Sequence, residues 1–116
     1  MSKDFTEIGW VFLCGKPWRI VVTKDNLHDD DSTRLHGYCN EEDYEIRLNG
    51  TLPARARVAA GLHELKHAFD FSATRGHSEG TEDCTRAVES GLCSLFGDPR
   101  NDWFVRWAQE ALQEKL

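Results

Sequence analysis

The 116-residue sequence predicts an α+β domain: two N-terminal β-hairpins forming a small, mostly antiparallel sheet, followed by an active-site helix and two further helices. Three observations carry that reading. Runs of β-branched and aromatic residues fill the N-terminal half and are cut by turn residues. From Pro53 onward, apolar residues recur every three or four positions. No internal repeat, low-complexity tract or long linker divides the chain, so residues 1–116 read as a single domain.

The first hairpin spans Gly9 to Thr23. Trp10-Val11-Phe12-Leu13-Cys14 and Trp18-Arg19-Ile20-Val21-Val22-Thr23 are its strands, and Gly15-Lys16-Pro17 punctuates them. Lys24 to Thr33 reads as a polar loop. Its Asp29-Asp30-Asp31 run lacks the alternate spacing of a calcium loop. Arg34 to Tyr38 and Tyr44 to Leu48 make the second hairpin, with Asn40-Glu41-Glu42-Asp43 as its tip. Strict alternation in Tyr44-Glu45-Ile46-Arg47-Leu48 buries one face, and Asn49-Gly50-Thr51 stops the strand.

A helix runs from Pro53 to about Ala73, because proline suits a first helical turn. Val58, Leu62, Leu65 and Phe69 form its apolar face, and Gly76 is its stop signal. A second helix runs from Thr81, a fitting N-cap, to Phe96, burying Cys84, Val88, Gly91 and Leu95. Asp98-Pro99 caps a third, which turns Phe104, Trp107, Ala108, Ala111 and Leu112 to the core.

Composition narrows the function classes. Net charge is −6 and the pI about 5.3, with no basic stripe for a phosphate backbone, so nucleic acid is not an expected partner. No apolar run approaches the roughly 18 residues of a membrane span. The acidic N-terminus is no signal peptide, so a cytoplasmic location is expected. Cys14, Cys39, Cys84 and Cys93 show no close pairing and read as reduced thiols; Cys14 and Cys39 are the pair that neighbouring strands could join. Oligomeric state is not legible.

The chemistry lies in His63-Glu64-Leu65-Lys66-His67. Two histidines at i and i+4 share a helix face, about 6 Å apart at Cβ. Both imidazoles can reach one zinc ion at about 2.0–2.1 Å. Glu64, rotated about 100° from His63, is no ligand but can reach a water on the metal as general base. A catalytic zinc takes three protein ligands. If the helices form an antiparallel hairpin, pairing the midpoint of the histidines, position 65, with Glu89 centres the turn on position 77, inside the Gly76-His77-Ser78 break. Pairing with Glu82 needs a turn nearer 73 or 74. Glu89 is therefore preferred, with Glu82 and then His77 as alternatives. A purely structural helical hairpin would leave Glu64 without a role.

With Gly37-Tyr38-Cys39, the strand Tyr44 to Leu48, the helix carrying His63-Glu64-Leu65-Lys66-His67-Ala68 and an acidic helix after it, the chain resembles the small zincin metallopeptidases. The resemblance is to the gluzincin branch, distantly to the ImmA/IrrE group and to phage and bacterial single-domain zincins. It implies zinc-dependent hydrolysis of peptide bonds, with a protein or peptide substrate bound along strand 44–48. It also implies a donor for the oxyanion, with His36, Tyr38 and Tyr44 as candidates. His36 and Tyr38 are expected on one strand face. Asp70, one turn after His67, is a candidate to orient a ligand imidazole. The alternative is a catalytically silent zincin-fold binding or scaffold protein.

Overall fold

Cys14 and Gly15 close the first hairpin, both at positive φ (50° and 79°). This is a two-residue turn whose twist matches that of the flanking strands. A computed structural model describes residues 5–74 and 82–113, with side chains throughout except at 73–74 and 82–87. The paired strands are β1 (Phe5–Leu13) and β2 (Lys16–Thr23). Lys16 and Pro17, expected in the turn, open β2 instead. Phe12 faces Pro17 across the ladder. The Phe12 amide donates to Asn101 Oδ1 at 2.7 Å, and Asn101 Nδ2 donates to the Phe12 and Ser94 carbonyls at 2.9 and 3.0 Å. Phe12 therefore turns its backbone groups away from β2, and Pro17 costs no ladder bond. The buried Asn101 amide covers that stretch of strand edge.

β3 (Leu27–His28), within the expected loop, pairs with β4 (Arg34–Leu35), the start of the expected strand Arg34 to Tyr38, which is broken by a bend at His36. β5 (Gly37–Asn40) and β6 (Glu45–Leu48) then form the second hairpin. β6 joins β2 in parallel, Ile20 beside Ile46 and Val22 beside Leu48. The sheet order is β1-β2-β6-β5, antiparallel except at that one junction. This corrects one expectation. Strand 44–48 is paired on both sides, so no peptide can add to it; the sheet's free edge on this side belongs to β5.

The three helices follow as α1 (Ala54–Thr74), α2 (Glu82–Gly97) and α3 (Asp102–Leu112), the last entered through a 3-10 turn at Pro99–Asn101. Asp98 caps that turn by accepting the Arg100 amide. Val11, Leu13, Trp18, Ile20, Ile46 and Leu48 of the sheet meet Leu65, Ala68 and Phe69 of α1, Leu95 of α2 and Phe104 of α3 in one core. Gly91 lets α1 and α2 close together, since a Cβ there would fall 2.1 Å from the Phe69 ring. Leu62 was expected in the core stripe but is 44 % exposed. Leu112 is likewise exposed, and the Cys84 side chain lies outside the described residues. Among the described residues, no helix is long and apolar enough to cross a membrane.

Candidate active-site cleft

A cleft of about 610 Å³ opens between α1 and the chain leading into β5. Arg34, Leu35, His36 and Gly37 form one wall; Ala56, Ala59, Ala60, His63 and Glu64 form the other. On α1 the three alanines and His63 follow the three- and four-residue spacing of one helical face. Small side chains there leave the space that larger ones would fill. The opposite wall is held by Asn49, which is fully buried. Its amide N–H donates to the His36 carbonyl at 2.9 Å, and its Nδ2 donates to the Leu35 carbonyl at 2.9 Å. Its Oδ1 accepts from the Thr51 amide at 3.0 Å and the Thr51 hydroxyl at 2.6 Å. One side chain thus pins the cleft wall to the end of β6.

His63 and His67 are exposed on α1, their ring centroids 5.3 Å apart and their planes at 73°. Glu64, one residue on, is 8 % exposed and lines the cleft beside His63. Its side chain lies against Gly37, where a Cβ would stand 3.0 Å from Glu64 Cγ and 3.3 Å from Oε2. Burial pushes the Glu64 carboxyl above its ordinary pKa, against the opposing charges of His63 and His67. On β5, the Cys39 thiol is pushed up to about 12, first by burial and then by the charges of Glu41 and Glu64. Cys14, Cys39 and Cys93 are free thiols, so Cys14 and Cys39 do not form the pair that neighbouring strands might have made.

The third-donor candidates fare differently. Phe69 lies on Gly91, and Leu65 and Leu95, one turn further along, share the core. The Phe69–Gly91 contact is centred on position 80, not 77. Glu89 consequently stands level with residue 71, roughly 9 Å along α1 from the midpoint of the histidines at 1.5 Å per residue. It is exposed on α2 and is not gathered with His63 and His67. Among the described residues, no group of three or more His, Cys, Asp or Glu side chains comes together to hold a metal ion. Glu82 opens α2, but its side chain, like the whole of His77, lies outside the described residues.

The oxyanion candidates separate as well. His36 lines the cleft opposite His63 and Glu64. Tyr38 lines a different hollow, of about 280 Å³, with His28, Asp29, Asp30 and Arg47. The two were expected on one strand face. They part because β5 begins at Gly37 and His36 occupies the bend before it, where alternation does not apply. Tyr44 packs edge-on against Trp18 at 5.1 Å and beside Phe71 at 6.0 Å, in an aromatic cluster away from the cleft. Asp70 is half-buried one turn beyond His67.

The β5 backbone completes the cleft. Because the His36 carbonyl accepts from the Asn49 amide, alternation along the antiparallel pair turns the Tyr38 groups toward β6. The N–H and C=O groups of Gly37 and Cys39 then face outward from the sheet. Sequence reasoning missed Asn49, Arg34 and the alanine face. Only the alanine spacing left a signal, and it reads as ordinary helix composition. No family model, curated protein or solved structure matches the chain.

Proposed function

We propose that the protein is a zinc-dependent peptidase of zincin type. The observation that carries this reading is the splayed arrangement on α1, with two imidazoles side by side at the surface and Glu64 turned into the cleft between them and β5. Two imidazoles on one tetrahedral zinc, each at about 2.0–2.1 Å, hold their ring centres roughly 5 Å apart. The 5.3 Å separation of the His63 and His67 rings is of that size. The third donor we favour is His77 or Glu82, because the contact of Phe69 with Gly91 sets Glu89 away from the two histidines.

Zinc, when bound, polarises the scissile carbonyl and lowers the pKa of a water molecule toward about 7. With a metal held by His63 and His67, Glu64 would be the group to accept a proton from the attacking water and pass it to the departing nitrogen. Packing against Gly37 fixes its direction, and its raised pKa makes it the stronger base. A peptide adds to the free edge of β5 through the Gly37 and Cys39 backbone groups. His36, across the cleft, is the side chain suited to donate to the developing oxyanion.

The test measures zinc per chain and cleavage of a mixed peptide library by the purified protein and by Glu64→Gln. One zinc per chain with hydrolysis that disappears in Glu64→Gln supports the reading. A protein that takes up no zinc at neutral pH sinks it. Zinc without hydrolysis leaves the scaffold alternative.

A further inference from the structure

We infer that Arg34 forms a carboxylate-binding subsite at the far end of the cleft. The peptides taken are then acidic ones, with a carboxylate two or three residues to the C-terminal side of the reacting bond. The direction along the peptide rests on the peptidase reading above; the charge preference does not.

Arg34 lies on the cleft wall of β4, facing a helix surface that offers only Ala56, Ala59 and Ala60 before His63. Its guanidinium is held along one edge. Nε donates to Asn26 Oδ1 at 3.0 Å, and that oxygen also accepts from the Thr51 hydroxyl at 2.8 Å and from Asn49 Nδ2 at 3.3 Å. The buried Asn49 therefore orients Arg34 through Asn26 while the terminal NH₂ groups stay available. Arg106, exposed on α3, borders a different hollow, and five further arginines are spent otherwise. Arg19, Arg47 and Arg100 pair with carboxylates, and Arg55 and Arg57 cap backbone carbonyls. Among the described residues no carboxylate pairs with Arg34. In a chain of net charge −6, such a cation on a cleft wall opposite alanines is suited to an anion from outside. A planar guanidinium with one edge anchored takes a carboxylate through its remaining N–H groups.

Length and direction follow from the backbone. Seven residues separate Ala56 from His63, roughly 10 Å of helix at 1.5 Å per residue. An extended peptide covers that in about three residues. A strand added antiparallel to β5 runs its C-terminal end toward β4.

The experiment uses the zinc-loaded full chain carrying Glu64→Gln, so that peptides bind without being cut. Fluorescence anisotropy compares amidated peptides with Glu or Gln at the second or third residue after the bond. A third, neutral peptide ends there in a free carboxylate. The Glu peptide or the free-terminus peptide is expected to bind roughly ten-fold tighter than the Gln peptide, and whichever does so identifies the source of the carboxylate. The preference should fall below about two-fold in Arg34→Gln and invert in Arg34→Glu, so that the Gln peptide binds tighter than either carboxylate peptide. Equal binding of all three, no binding of any, or a preference that survives both substitutions overturns the inference. Hydrolysis of the same peptides by the protein with Glu64 intact is read separately. Preference without hydrolysis removes the peptidase reading and leaves the subsite; hydrolysis without preference does the reverse.

Discussion

The Glu64 carboxylate is packed against Gly37, close enough that a Cβ at position 37 would stand 3.0 Å from its Cγ. The Arg47 carbonyl, 3.2 Å from the same point, is backbone and cannot yield. An alanine at 37 must therefore displace the Glu64 side chain, the softer neighbour. Gly37→Ala is expected to lower kcat/KM by roughly ten- to a hundred-fold, because small misplacements of a reacting group are costly. The fold should lose no more than about 1–3 kcal/mol, the usual range for overpacking. Steady-state kinetics with metal analysis checks this: unchanged zinc with reduced turnover is expected, and wild-type turnover in Gly37→Ala would count against Glu64 as the base.

Metal content separates the donors from their neighbours. His63→Ala and His67→Ala are each expected to empty the site. Glu64→Gln should keep the metal and lose at least about a hundred-fold in turnover, the usual contribution of a general base. Glu89→Ala should change neither, because the contact of Phe69 with Gly91 sets Glu89 level with residue 71. Loss of zinc in Glu89→Ala, read by elemental analysis, would show that the helices pair in the other register.

What was legible in the sequence follows from how local its cause is. The bounds of α1, α2 and α3 came within a few residues, because periodicity and capping are set by neighbours in the chain. That His63, Glu64 and His67 share one helix was legible for the same reason. The parallel seam of β2 and β6 was not, because Ile20 and Ile46 are equally content against any apolar strand. The β3–β4 ribbon has two residues a side, too few for alternation to register. The choice of third donor depends on the register of α1 and α2, which periodicity within either helix does not set. A shift of the turn centre from 77 to 80 moves the facing residue by six positions. Asn49 was read as a strand stop, whereas its buried amide holds the cleft wall. Nothing in Asn49-Gly50-Thr51 distinguishes the two roles before His36 is brought beside it.

Asn49→Ala tests that bracing directly. It leaves the Leu35 carbonyl and the Thr51 amide without their present partners. Unsatisfied buried groups of this kind make the expected cost about 2–4 kcal/mol. Asn49→Asp keeps the acceptor for Thr51 but sets a buried carboxylate oxygen against the Leu35 carbonyl, so it should cost at least as much. Urea titration checks both, with an unchanged dependence on denaturant expected if only stability is affected. Thr51→Val removes the hydroxyl contacts to Asn49 and Asn26 and should fall below either.

Acid should act on the opposite face of the sheet, through Glu45. Burial alone would raise the pKa of this carboxyl. Hydrogen bonds from Arg47 and Arg19, reinforced by their charges, outweigh burial and hold it below its ordinary value of 4.5. Because the folded-state pKa is the lower one, the stabilisation is present above about pH 4.5 and is lost as the pH falls through the folded value. Glu45→Gln deletes the charge and leaves Arg19 and Arg47 together over the Phe5 ring. The two guanidinium side chains are more than a third exposed, at 36 % and 38 %, so solvent screens the pair. The expected loss near neutral pH is therefore only about 1–2 kcal/mol. Denaturant titrations of wild type and Glu45→Gln, stepped from neutral pH down to about pH 3, should show the gap between them closing. A gap that widens toward acid would mean that the carboxyl is held protonated in the fold, and that Arg19 and Arg47 do not control it.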